Sequence, residues 1–361
     1  MRITFVLPGY PWKPVGGFRV VYEYANQLVA RGHEVIVVHP RRLPNWNLPS
    51  PNLYRWFRRK VGHLRNIVLK PKVEWQPIDR RVQMLYVPEP TARYVPDADV
   101  VFATAWQTAE LVSRYLQTKG RKFYLVQDFD SFFGSKERLE ATWREQFKMV
   151  IISHWLFEKV VSVVGRREGM TVIPDGINHQ NFRLLNDIIS RPKRVAMMYS
   201  QAGYKAPEDG LKTLEICRDK FREFQVIIFG PSSKPERLPF WIEYKANVDN
   251  EMLVRLYNSA SIFLSSSVAE GFSLPPAEAM ACGCAVVATD SGGIREYADH
   301  GKTALLSPPR DPEALAKNLL RILKDDNLRI QLARAGHERI KEFTWDRSTD
   351  LLEQFLSHKE S

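Results

Sequence analysis

Short apolar runs alternate with longer amphipathic stretches almost from one end of this 361-residue chain to the other. A run too short for a helix and apolar at consecutive positions reads as a strand buried on both faces. An amphipathic stretch between two such runs reads as the crossover joining parallel strands. The expected class is therefore α/β. In the first half the strand candidates are ITFVL (3–7), EVIVV (34–38), QMLYV (83–87), DVVFA (99–103), KFYLV (122–126), MVII (149–152) and TVI (171–173), enough for one complete sheet. A second series begins at RVAMMY (194–199) and continues through QVIIF (225–229), SIFL (261–264), AVVAT (285–289) and ALL (304–306). Between them Pro174, Asp175, Gly176 and Pro192 interrupt any regular pattern, so a linker is expected near 174–193. The expected domains are 1–174 and 175–345, each long enough for its own core, followed by a terminal helix within 346–361.

Composition narrows the class further. No uninterrupted apolar stretch approaches the roughly 20 residues that span a bilayer. The opening MRITFVLPGYPW has an apolar core shorter than that of a signal peptide and reads better as a buried strand, so a cytoplasmic location is expected. Cys217, Cys282 and Cys284 cannot form a disulfide framework and lack zinc-ligand spacing; they read as small core residues. The formal net charge is +11, and residues 41–72 hold nine Lys or Arg with no Asp or Glu, which leaves +2 for the rest of the chain. A nucleic-acid-binding protein would spread its positive charge along a groove or helix face, whereas one segment carries almost all of it here.

Two segments carry chemistry. The first strand ends in Pro8 and Gly9, and Gly16 and Gly17 stand at the entrance of an amphipathic helix that Gly32 closes. This loop lacks G-x-G-x-x-G, and no acidic residue ends the second strand, which argues against a dinucleotide site. The glycine pair either lets another molecule approach the backbone or simply makes a tight turn. The second segment is SSSVAEGFSLPPAEAMACGCAVVATDSGG, from Ser265 to Gly293. Glu270 follows a strand at the sheet edge where parallel sheets hold their ligands. Pro275 and Pro276 read as the start of a helix, so Phe272, Ser273 and Leu274 should present backbone N–H groups at its positive end, an anion site suited to diphosphate. Glu278 is expected in the first turn, placed to accept hydrogen bonds from hydroxyls beside the phosphate. Two carboxylates at E-x7-E spacing around such a cradle suit a sugar nucleotide; otherwise Glu270 is a loop residue and Glu278 a helix-terminal charge.

The stretch EGFSLPPAEAMACGCAVVATDSGGIREYADHGKTALLSPPRDPEALA resembles the donor-binding half of family 4 glycosyltransferases. The segments GGFRVVYEYANQLVARGHEV, VVFATAWQTAELV, YLVQDFDSFFG and VIPDGINHQNF are similar, more weakly, to its rhamnosyltransferase-like branch. The resemblance implies a retaining enzyme of GT-B fold, two Rossmann-like domains facing across a cleft, with acceptor binding in the first and nucleotide-sugar binding in the second. It implies that Glu278 holds the donor ribose, that Glu270 lies at the transferred sugar, and that Gly271, Phe272, Ser273 and Leu274 line the donor diphosphate. Gly16 and Gly17 become an acceptor-side loop, and the terminal helix is expected to pack back on the first domain. The implied activity is transfer from a nucleotide-diphosphate sugar to a glycan or lipid-linked acceptor, as in bacterial surface polysaccharide synthesis, with no cofactor.

Two departures stand out. Many members carry an Arg and a Lys five residues apart after the first strand of the second domain; MMYSQAGYK keeps Lys205 but has Ser200 at the Arg position. A first-domain His that touches the donor sugar in many members is absent after KFYLV, where Gln127 and Asp128 stand, so Asp128 becomes the candidate for a sugar or acceptor hydroxyl. The triplets Asp97–Asp99 and Asp128–Asp130 have D-x-D form, but the first precedes its strand, on the wrong edge for a ligand. Lys205 and a helix N-terminus offer diphosphate stabilisation without metal, so no metal is expected. Competing readings are a sugar-nucleotide epimerase or hydrolase of the same fold, and a nucleic-acid binder using Trp46, Tyr54, Trp56 and Phe57 among the basic residues. The phosphate cradle has no use in the latter, so no nucleic-acid partner is expected.

Within the basic segment, residues 53–69 place Leu53, Trp56, Phe57, Val61, Leu64, Ile67 and Val68 on one helix face. Such a helix either packs that face on the first domain or makes a peripheral contact with an anionic membrane surface, where the basic residues add attraction.

Overall fold

The computed structural model describes residues 1–12, 14–44, 73–127, 129, 135–231, 233–235 and 238–358. The chain divides into two compact units, Met1–Ile173 with Ser348–Ser361, and Pro174–Arg347. The first holds a seven-stranded sheet of β1 (Arg2–Val6), β2 (Glu34–Pro40), β3 (Gln83–Val87), β4 (Val100–Ala103), β5 (Arg121–Val126), β6 (Lys148–Ile151) and β7 (Met170–Val172), in the order β3-β2-β1-β4-β5-β6-β7. All its pairings are parallel, as consecutive apolar residues buried on both faces require. The described helices of this unit are α1 (Gly16–Ala30), α2 (Trp106–Val112), α3 (Lys136–Arg144) and α4 (His154–Val164). Gly32, at φ 87°, takes the left-handed position that ends α1.

The second unit repeats the plan with β8 (Arg194–Met198), β9 (Gln225–Gly230), β10 (Ile242–Ala246), β11 (Ile262–Ser265), β12 (Ala285–Thr289) and β13 (Ala304–Ser307), all parallel, in the order β10-β9-β8-β11-β12-β13. Its helices are α5 (Pro207–Lys220), α6 (Asn250–Ser259), α7 (Leu274–Ala281), α8 (Pro312–Lys324) and α9 (Asp326–Ile340). The core lies between sheet and helices, where Met197, Ile228, Leu264 and Val287 meet Leu214, Leu319 and Leu332. The three cysteines are buried, and burial pushes each thiol upward, Cys217 and Cys284 to about 12, so they act as small core residues.

In each sheet the strand order reverses beside the first strand of the unit, between β1 and β4 and between β8 and β11. Ligands of open parallel sheets sit at such switch points, outside the carboxyl ends of the strands. The last helix, α10 (Trp345–Ser357), starts in the second unit and from Ser348 belongs to the first. There Arg31 meets Asp350 and Glu353 at 2.9 Å, Phe355 packs edge-on against Phe123, and Arg121 donates to the Leu356 carbonyl. Among the described residues no helix is long and apolar enough to cross a membrane.

Two expectations are corrected. The segment 174–193 is no free linker. Ile177 pairs with Thr344, Ile188 joins the core of the second unit, and the buried Arg191 guanidinium donates to the carbonyls of Asn186, Ala260 and Cys282. Tertiary partners for a long cation leave no local pattern. Strand β10 has no counterpart among the expected strands because it is an edge strand, IEYKA, with a mostly exposed side and polar residues.

Candidate functional site

The residues expected to bind a donor lie around the carboxyl ends of β8 and β11. After β8 the chain makes a short 3-10 turn, Gly203–Lys205, and enters α5 through Ala206 in the left-handed region, φ 43°. Ser266, just past β11, fixes this turn by donating from its hydroxyl to the Ala206 carbonyl at 2.9 Å and the Lys205 carbonyl at 3.2 Å. Lys205 is thereby aimed at Glu270, whose Oε1 lies 2.5 Å from Nζ, both side chains being largely buried at 14% and 12% exposure. With Ser266, Ser273, Pro275 and Pro276 they line one recess. The Tyr204 ring faces the same ammonium, 5.3 Å from centroid to Nζ.

Glu270 is held through its backbone. It bridges in parallel to Gly292, its N–H donates to the Ser291 carbonyl at 2.9 Å, and its carbonyl accepts from Gly293 at 3.1 Å. A Cβ on Gly293 would sit 2.0 Å from the Gly271 carbonyl oxygen, so only glycine permits this approach. The Gly292–Gly293 pair thus serves close backbone packing around Glu270.

Helix α7 opens at Leu274, with Ser273 as its N-cap in the left-handed region at φ 73° and ψ 70°. The expected start at Pro275 and Pro276 is corrected, and with it the place of Glu278, which is the fifth helical residue and not in the first turn. The left-handed N-cap turns the chain into the helix earlier than the proline pair signals. Both prolines lack an N–H, so the amides this helix end has to offer are those of Ser273 and Leu274. Phe272 points away into a cluster with Tyr297 and Phe343. Glu278 is 3% exposed, and the Tyr257 hydroxyl donates to its Oε2 at 3.5 Å. The carboxylate is thus deeply set, one turn behind the amides.

Ser200 is half-buried, and its Oγ accepts from the Ala202 amide at 3.3 Å, which shapes the turn toward Lys205. In the first unit Gly16 and Gly17 form the first turn of α1, as exposed and half-buried residues with Val15 as an N-cap that makes no side-chain bond. A Cβ on Gly17 would lie 3.3 Å from Gln127 Oε1, the side-chain amide just past β5. Asp128 and Asp130 lie outside the described residues, as does the expected helix 53–69. Asp97 pairs with Lys119, and Asp99 accepts from the Arg2 amide at 2.7 Å, so the first D-x-D triplet serves the opposite edge of the sheet. His179 accepts a structural place beside the Phe343 carbonyl, and His154 opens α4.

Residue-by-residue reading overlooked the aromatic edge of the first unit. At the carboxyl ends of β1 to β3, Tyr86 stands edge-on to Tyr10 and stacks on His39, with Tyr22 and Trp75 behind. His39 is fully buried, its Nδ1 3.3 Å from the Gly9 carbonyl, and burial lowers it to about 4, so the ring is neutral. The rule that ligands sit at carboxyl strand ends was the available signal.

Residues 186–339 match the family described as Glycosyl transferases group 1. O-antigen chain mannosyltransferase B of Escherichia coli is 36% identical over 109 residues, 30% of this chain and 28% of that protein. D-inositol 3-phosphate glycosyltransferase of Corynebacterium jeikeium is 38% identical over 102 residues, 28% of this chain and 24% of that protein. The chain thus spans about a quarter of the length of these relatives. Anabaena HepE, solved in complex with UDP-glucose, superposes with a TM-score of 0.75 at 15% identity, covering 99% of both chains. Lys205, Glu270 and Glu278 all lie within the residues that match Glycosyl transferases group 1, on a chain of two parallel-sheet α/β units with the fold of GT-B glycosyltransferases.

Proposed function

We propose that the protein is a retaining glycosyltransferase of the rhamnosyltransferase-like branch, moving a sugar from a nucleotide-diphosphate donor to a glycan or lipid-linked acceptor in bacterial surface polysaccharide synthesis. The carrying observation is the buried Lys205–Glu270 pair beside the amides of Ser273 and Leu274, with Glu278 one turn behind. As the sugar departs and becomes oxocarbenium-like, negative charge grows on the leaving diphosphate. Lys205 and the two amides are the groups that meet this charge. Donor binding requires Lys205 to exchange Glu270 for phosphate, which leaves the Glu270 carboxylate beside the transferred sugar, while Glu278 accepts from the ribose hydroxyls. Attack from the leaving-group face, assisted by the departing phosphate, gives retention without a protein nucleophile. The reading needs no metal. Acceptor binding falls to the first unit, at Gly16, Gly17 and Asp128. Residues 41–72 supply a peripheral contact with an anionic inner membrane face, a reading that rests on their charge alone.

The test is turnover with a panel of nucleotide sugars and candidate acceptors in excess chelator, with the product anomer read by NMR. Transfer with retained configuration is expected. Inversion, loss of activity to chelator with restoration by manganese, or hydrolysis of donor with no use of any acceptor would each contradict the proposal.

A further inference from the structure

Ser273 carries an energetic cost at the point where the site presents its amides. A serine in the left-handed region is disfavoured, and such a residue persists only where its surroundings hold it. The holding group lies 24 positions away in sequence: the Tyr297 hydroxyl donates to the Ser273 carbonyl at 2.6 Å. Tyr297 is 1% exposed, and its ring is fixed against Phe272 and Phe343. Burial, followed by the charge of Glu270, holds the phenol well above its usual range, so it remains a donor. The serine itself makes no side-chain cap bond within the helix.

We infer that Tyr297 is the positioning residue of the donor site: its hydroxyl locks Ser273 in the left-handed cap that turns the Ser273 and Leu274 amides toward the diphosphate. The inference rests on the proposed nucleotide-sugar function. It predicts that the Tyr297 hydroxyl matters for the diphosphate and not for the nucleoside, and that it becomes dispensable once residue 273 adopts the left-handed region without cost, as glycine does.

Calorimetry with UDP and GDP, and with uridine and guanosine, separates these. In Tyr297→Phe the affinity for the diphosphate that the wild type binds is expected to fall about tenfold, with affinity for the matching nucleoside unchanged. Ser273→Gly added to Tyr297→Phe is expected to restore diphosphate affinity to within about twofold of wild type. Unchanged diphosphate binding in Tyr297→Phe, an equal loss for nucleoside and diphosphate, or failure of the glycine to rescue would overturn the inference. A wild type that binds neither diphosphate would overturn the donor-site reading beneath it, a separate outcome.

Discussion

At the carboxyl ends of β1, β2 and β3 the first unit places Tyr10, His39 and Tyr86, whereas after β8 and β11 the second places Lys205, Ser266 and Glu270. The two sheets share parallel topology and a switch point beside the first strand, yet one edge is lined with rings around a neutral imidazole and the other with charges and hydroxyls. Topology therefore supplies only the location of a ligand edge, and the side chains delivered there decide its chemistry. Under the proposed function the charged edge meets a diphosphate, and the ring-lined edge lies in the unit assigned to the acceptor.

The largest expected effect breaks the charged edge. Lys205→Ala should lower turnover by about 10²- to 10³-fold while weakening donor binding less, because leaving-group charge is greater in the transition state than in the bound donor. Steady-state kinetics at saturating donor checks this, and normal turnover would move the cation elsewhere. Glu270→Gln should likewise lower turnover more than donor affinity, since its proposed place is at the transferring sugar.

A smaller effect sharpens the comparison through binding alone. Glu278→Ala removes a charged acceptor and should weaken the donor by about 1.5 to 3 kcal/mol, with the fold intact. Equal donor affinity in calorimetry would remove Glu278 from the site.

The pH response should separate the two units by sign. His39 stays neutral in the folded chain down to about pH 4, while an unfolded chain takes up that proton near 6.5. Between those values the unfolded state binds more protons, so stability is fully present above pH 6.5 and is lost as pH falls toward 4, by on the order of 3 kcal/mol. Asp175 in the second unit has the opposite sign. Burial raises it to about 8, so the folded chain keeps a proton that the unfolded chain releases near 3.8, and its contribution is lost as pH rises toward 8. The two windows overlap with opposite sign, so denaturant midpoints of Asp175→Asn should rise with pH up to about 6.5 and then level, whereas those of His39→Gln should fall steadily from about pH 4 to about 8. Parallel curves for wild type and both variants would contradict the assignment.

Much of this was legible in the chain because buried parallel strands announce themselves by composition. Val286 and Val287 need no partner to be named before they read as core. Edge strand Ile242–Ala246 gave no such signal, being half solvated and rich in Glu, Tyr and Lys. The E-x7-E spacing located Glu270 and Glu278, since a helix and the loop before it are local. Their setting was not local. Lys205 meets Glu270 across 65 positions, and the left-handed Ser273 depends on Tyr297, so neither the ion pair nor the true start of α7 could be read from neighbouring residues. Arg191 was hidden for the same reason, as its carbonyl partners come from three separate segments.

The central claim, that the charged edge holds a nucleotide-diphosphate sugar, is tested most directly by thermal unfolding of the wild type and Glu278→Ala side by side against a panel of nucleotide sugars. A donor at about 100 times its Kd should stabilise the wild type by roughly 2.7 kcal/mol by mass action, and the variant by clearly less at the same concentration. No shift with any donor, or an identical shift in both chains, would contradict the account.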